Sequence, residues 1–174
     1  QHGPPGFGLR RLVVGHDGRP RGVLEAGQRK SVREDHVVLV PGPAAEVATI
    51  HRIFRHFVGE RISPASIARL LNAEGVPAES GAPWTRARIH TVLTNRKYLG
   101  DLRYKLSRGT LDRGRVVLKR ELWLHRPDSH APIVEREQFD RAQEVCLARK
   151  ARGTKAELRP ALRRLFLEHG ALTT

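Results

Sequence analysis

PWTRARIHTVLTNRKYLGDLRYK, residues 83–105, reads as a helix followed by a strand, and six of its side chains are basic against one acid. Ile89, Val92 and Leu93 recur at helical spacing and would form the buried stripe. Thr85 stands where a helix takes its N-cap, and Gly100 ends the unit. With that stripe buried, a helical wheel turns Ala87, Arg88, His90, Thr91, Thr94 and Asn95 outward and leaves Arg86 on the flank. Small polar and basic residues of this kind suit close approach to phosphates and base edges. The competing reading is a solvated basic face on a purely structural helix.

The whole chain carries the same bias. Its 174 residues hold 32 Lys and Arg against 18 Asp and Glu, a net charge of +14. That balance favours a polyanionic partner, most simply nucleic acid. The excess is uneven. Residues 1–42 hold seven basic side chains against four acidic, and residues 141–164 hold eight against two. Residues 43–83 hold four of each and separate the basic stretches. A uniformly basic surface would leave no such gap.

The single cysteine, Cys146, excludes an internal disulfide and a cysteine-rich zinc site, and it permits a reducing cytoplasm. No stretch has the length and apolarity of a membrane helix or the apolar core of a signal peptide. The chain does not begin with Met, and we expect a longer parent protein.

Outward from the opening stretch, breakers and periodicity predict the other elements. LRRLVV, HDGRP and RGVLEAG read as a hairpin turning at Asp17-Gly18. HVVLV, residues 36–40, reads as a short buried strand stopped by PGP. A first helix is expected from about Ala44 to Val58, with Val47, Ile50, Phe54, Phe57 and Val58 inward and Ile53 widening the stripe. Ser63-Pro64 opens a second helix that buries Ile67, Leu70 and Leu71 and stops at Glu74-Gly75. DLRYKL and RVVLKRELWLH read as strands around a turn-rich SRGTLDRG. A further helix covers about Arg136 to Ala151, with Phe139, Ala142, Cys146 and Leu147 inward, and a last one contains Leu158, Leu162, Leu165 and Phe166. Trp84 reads as the residue that seats the basic helix. The second and basic helices are arranged like a helix-turn-helix, with a connection longer than the usual tight turn.

At these residues the chain resembles a known family. EVATIHRIF, SPASIARLLNAEGVP, a Pro-Trp pair before a basic helix, and LTNRKYLGDL follow one another as in the recombinase domain of the large serine recombinases. These include phage integrases, transposon-borne resolvases and DNA invertases. HAPIVEREQFDRAQEV resembles the segment that follows in the family, and PPGFGLRR the lead from its catalytic part. The resemblance covers about residues 4–150. It implies an α+β fold: a helical DNA-binding domain with helix-turn-helix-like helices, a small β-hairpin or sheet, and C-terminal helices. The expected divisions are a basic arm and hairpin over 1–42, a recombinase DNA-binding core over 43–135, and basic C-terminal helices that begin a following module over 136–174.

The implied partners are duplex DNA at an attachment or resolution site and, in the full-length protein, other recombinase subunits. No cofactor and no membrane are implied, and the setting is cytoplasmic, nucleoid-associated and bacterial or phage-encoded. The family's nucleophile is a serine in a separate catalytic domain, which leaves a phosphoserine link during strand exchange. Ser31, Ser63, Ser66, Ser80, Ser107 and Ser129 lack the arginine-flanked setting of that serine, so no catalytic residue is carried over. We therefore expect no enzyme activity from this chain alone. Many relatives continue into a cysteine-rich zinc ribbon; with one Cys and no suitable His spacing, no metal site is expected here. Asp101 and Asp112 lack a third carboxylate at nuclease-like spacing. The candidate DNA-binding set is Arg10 and Arg11 on the arm, Arg86, Arg88, His90, Thr91, Thr94 and Asn95 on the helix, and Arg96, Lys97, Arg103 and Lys105 beyond it. The alternatives are a stand-alone helix-turn-helix regulator and an RNA-binding module.

Overall fold

The computed structural model describes residues 5–25, 27–28, 30–104, 107–110, 114–117 and 124–151. Three antiparallel strands open the chain: β1 (Leu9–Val14), β2 (Pro20–Leu24) and β3 (His36–Pro41), ordered β2-β1-β3. The β1–β2 turn closes through Gly15 N–H to Arg19 O and Gly18 N–H to Gly15 O, with Gly18 at φ +76°, so the expected hairpin forms. β3 is an edge strand, and only Leu39 on it is fully buried, so the expectation of a buried strand is corrected.

α1 (Ala44–Phe54) runs into a wider π turn (Arg55–Gly59). The extra residue per turn still leaves Ile50, Ile53, Phe54 and Phe57 in the core, with Val47 and Val58 packed at its margin. The loosened carbonyls beyond the turn are met from far along the chain. Arg149 donates to Arg61 O at 2.7 Å and lies 4.7 Å over the Phe57 ring. α2 (Pro64–Ala73) starts as its sequence dictates, with Ser63 Oγ accepting from Ser66 N–H and Pro64 at the first position. Gly75 follows its end at φ +69°. Its buried face is Ile67, Ala68 and Leu71; Leu70, expected inside, is 39% exposed.

α3 (Arg86–Thr94) buries Ile89, Val92 and Leu93, and Thr85 caps it by accepting from Arg88 N–H. A short 3-10 turn follows (Arg96–Leu99), capped by Asn95 and ended by Gly100 at φ +82°. Beyond it, β4 (Leu102–Tyr104) pairs with β7 (Leu124–Arg126), and β5 (Ser107–Thr110) pairs with β6 (Gly114–Val117). SRGTLDRG thus contains a strand and RVVLKRELWLH contains parts of two, because a hairpin nests inside the pair read as one turn between strands. α4, residues 136–151, closes the core with Phe139, Ala142 and Val145. Cys146 is half-buried and Leu147 is 67% exposed, so the inward face turns through Val145 instead of Leu147. The predicted last helix lies outside the described residues.

The segment 95–101 joins these parts. Tyr98 is fully buried; its hydroxyl donates to Phe7 O at 2.9 Å, and its carbonyl accepts from both Ile133 N–H and Val134 N–H. Burial raises the phenol pKa, so the hydroxyl stays a donor. Gly100 takes a left-handed conformation beside the 129–134 segment, where an added Cβ would collide with the His130 carbonyl oxygen. Asp101 is fully buried. Its Oδ2 accepts from Arg96 Nε (3.1 Å) and Nη2 (2.9 Å), and Arg136 of α4 stands 4.0 Å from Oδ1.

That ion pair is asymmetric: the Asp101 side chain is 0% exposed and the Arg96 side chain 32%. Removing the arginine takes two hydrogen bonds from a buried carboxylate, whereas removing the carboxylate leaves an arginine that reaches water. Arg96→Ala is expected to lower stability by about 3 kcal/mol, and Asp101→Asn by less, in urea unfolding followed by circular dichroism. Equal losses would contradict this ordering.

His130 gives a pH prediction. Its Nε2–H donates to Lys97 O at 2.7 Å, and Nδ1 lies 3.0 Å from the Ser129 hydroxyl. Burial pushes its pKa down; the bond to the Lys97 carbonyl opposes this and the Lys97 charge reinforces it. A pKa lowered by folding contributes stability that is fully present above the unfolded value, about 6.5, and is lost as pH falls toward the folded value. Urea midpoints from pH 8 to 5 should therefore fall more steeply for the wild type than for His130→Asn.

Candidate nucleic-acid interface

α3 is placed from both ends. Before it, the Asn72 side chain at the end of α2 clasps the Trp84 main chain twice, donating to Trp84 O (2.9 Å) and accepting from Trp84 N–H (2.8 Å). The Trp84 ring is buried and meets Phe7 edge-on at 4.9 Å between centroids. Trp84 therefore seats the helix, as its position in the sequence suggested. After α3, Gln143 of α4 donates to Leu93 O at 2.7 Å, and Tyr98 ties the following turn back to Phe7. Asn72 and Gln143 escaped the sequence reading. A polar residue at a helix end gives no sign of which distant carbonyl it meets.

The outer face carries Arg86, Ala87, Arg88, His90 and Thr91, all exposed, with Thr94 half-buried at its end. No acidic residue lies in α3. Each polar group has a distinct state. Arg88 folds back and donates to Pro83 O at 2.6 Å. Thr91 Oγ1 donates to Ala87 O (3.0 Å) and Thr94 Oγ1 to His90 O (2.8 Å). Arg86 and His90 have no hydrogen-bond partner among the described residues.

The candidates beyond α3 are more committed. Asn95 Oδ1 accepts from Lys97 N–H at 3.2 Å, so this side chain is a cap. Arg96 is bound to Asp101. That pairing also accounts for Asp101, which sits in an ion pair and not in an acidic cluster; Asp112 lies outside the described residues. Lys97 is half-buried, and burial lowers its pKa while Glu79 across the 79–81 turn opposes the shift. Arg103 stands on β4, paired with His125, and Lys105 lies outside the described residues.

The arm arginines are engaged as well. Arg10 forms a two-pronged bond to Glu46 on α1, through Nη1 (3.0 Å) and Nη2 (2.6 Å), and the pairing raises its pKa. Gly8 N–H adds a third bond to the same carboxylate at 2.9 Å. Arg11 donates to Glu25 O at 2.8 Å, with its Nε buried. Arg10 and Arg11 thus hold the sheet to α1 and to the end of β2. Among the described residues, no three His, Cys, Asp or Glu side chains are placed to share a metal ion, and no helix is long and apolar enough to cross a membrane.

A solved structure described as a crystal structure of an LSR–DNA complex shares 25% identity with a TM-score of 0.42, over 62% of this chain and 27% of that one. The chain thus spans about a quarter of that protein's length. The family model described as Recombinase matches residues 44–149, which run from the start of α1 nearly to the end of α4. The motifs quoted from the sequence, the α+β architecture and this match agree, and the chain belongs to the Recombinase family, the domain family of the large serine recombinases.

Proposed function

We propose that this chain is the duplex-DNA-binding part of a large serine site-specific recombinase, and that α3 lies in the major groove. One observation carries the reading: α3 buries its whole apolar face and turns outward two arginines, a histidine and two threonines with no acid among them. An α-helix fits the major groove, where base edges carry a distinct donor and acceptor pattern. Arg86 and Arg88 lie in the first turn, where the helix N-terminus adds positive potential toward phosphate. Arg88 reaches DNA by exchanging its bond to Pro83 O for one to a base edge or phosphate. In this reading Arg10, Arg11, Asn95 and Arg96 position the interface and Lys97 lies at its margin.

The chemistry of strand exchange belongs, on this proposal, to the parent recombinase and not to this chain's own serines. Ser63 caps α2, Ser66 bonds to it, and Ser129 is held at Gly100 O. Other subunits of the parent assembly, and a cytoplasmic site of action on chromosomal or phage DNA, follow from the same proposal.

Binding to duplexes selected from a random pool tests it, with structured RNA as competitor. Arg88→Ala is expected to cost roughly 1–3 kcal/mol on the selected duplex and much less on a scrambled one. Arg86→Ala is expected to weaken both alike and to lower the salt slope by about one unit. If Arg88→Ala lowers both affinities equally, α3 is only a basic face. Preference for RNA would overturn the proposal.

A further inference from the structure

We infer that Thr91 and Thr94 determine part of the sequence preference by reading thymine through its 5-methyl group, an inference that rests on the proposed docking of α3. A threonine on a recognition helix presents either a hydroxyl, which donates or accepts, or a methyl. Here each hydroxyl proton is already used inside the helix: Thr91 donates to Ala87 O and Thr94 to His90 O. β-Branching fixes the remaining geometry. With Oγ1 turned back toward its own helix, the other heavy branch on Cβ, the methyl, is the group left to meet a ligand.

The surroundings sharpen this. Residue 87, one turn before Thr91, is alanine, so no longer side chain competes for that space. Arg86 and His90, the polar groups of this face without an internal partner among the described residues, lie to one side of Thr91, whereas His90, one turn before Thr94, shares that threonine's side of the helix. The outer face therefore offers the Thr91 methyl at an exposed position and the Thr94 methyl at its half-buried end, with Arg86 and Arg88 in the first turn. In the major groove only thymine presents a methyl at the base edge. Arg86 supplies attraction to any duplex, and the threonines add a preference for thymine at one or two positions beside whatever Arg88 reads.

The rival role is acceptance. Each threonine oxygen keeps a lone pair that could take a proton from adenine N6 or cytosine N4. Substitution separates the two. Thr→Val keeps a methyl and loses the oxygen; Thr→Ser keeps the oxygen and loses the methyl.

The experiment uses the full 174-residue chain and a duplex selected from a random pool, with each thymine replaced in turn by deoxyuridine. Loss of a buried methyl contact corresponds to about a fourfold weaker Kd. The wild type is expected to show that loss at one or two thymines. Thr91→Ser or Thr94→Ser should weaken binding about fourfold and become indifferent to uracil at the matching position. Thr91→Val and Thr94→Val should keep both affinity and discrimination. A selected site without thymine, indifference of the wild type to every replacement, or discrimination that survives both serine variants would overturn the inference while leaving duplex binding intact. A chain that fails to bind any duplex would overturn both this inference and the proposed function beneath it.

Discussion

The fold depends on how residues 95–101 are held. This seven-residue turn buries a tyrosine, a glycine in a left-handed conformation and an aspartate in succession, and each is tied to a different part of the chain. Tyr98 reaches back to Phe7 and forward to Ile133 and Val134, Gly100 lets the 129–134 backbone close in, and Asp101 collects Arg96 and approaches Arg136. A buried carboxylate is tolerable only when its charge is matched and its oxygens are met. Asp101 therefore holds the turn after α3 through Arg96, with Arg136 at the start of α4 standing 4.0 Å from its other oxygen. Phe7 closes the other side by touching Trp84 before α3 and accepting from Tyr98 after it. The basic helix is gripped at both ends by the same core.

This arrangement divides the positive charge into two kinds. Arg10, Arg11 and Arg96 are spent on Glu46, the Glu25 carbonyl and Asp101, and Arg149 covers Phe57 and the carbonyls after the π turn. Arg86 and Arg88 stay on the outer face of α3. Arginines already bonded to a carboxylate or carbonyl orient what they hold, whereas exposed arginines can follow a phosphate backbone. A preorganised helix with a small set of available cations suits reading better than a uniformly charged surface does.

The helical half of the fold was legible in the sequence because its signals are local. Ser63-Pro64, Glu74-Gly75, Thr85 and Gly100 are start and stop residues with their own stereochemistry, and Ile89, Val92 and Leu93 keep one register. Trp84 was legible as an anchor because a large aromatic before a capped helix has few other uses. The errors share a cause as well. Leu70 and Leu147 satisfy helical spacing but lie at the edge of their stripes, where tertiary packing decides which neighbour is covered. Ala68 and Val145 took those places. The strands after residue 101 were blurred because a nested hairpin and a single turn share the same Gly-rich composition. At the site, periodicity told which way side chains point but not which were already bonded. Glu46 lies 36 residues from Arg10, and nothing local announces that pair.

Amide chemical shifts of the labelled chain, followed as a selected duplex is added, test most directly whether α3 is the DNA-facing element. The predicted result is that the largest changes fall on residues 85–94, with smaller ones at 95–101 through the shared turn and little change on β2 or on the outer face of α4. Largest changes on α4 and the π turn, with α3 silent, would contradict it.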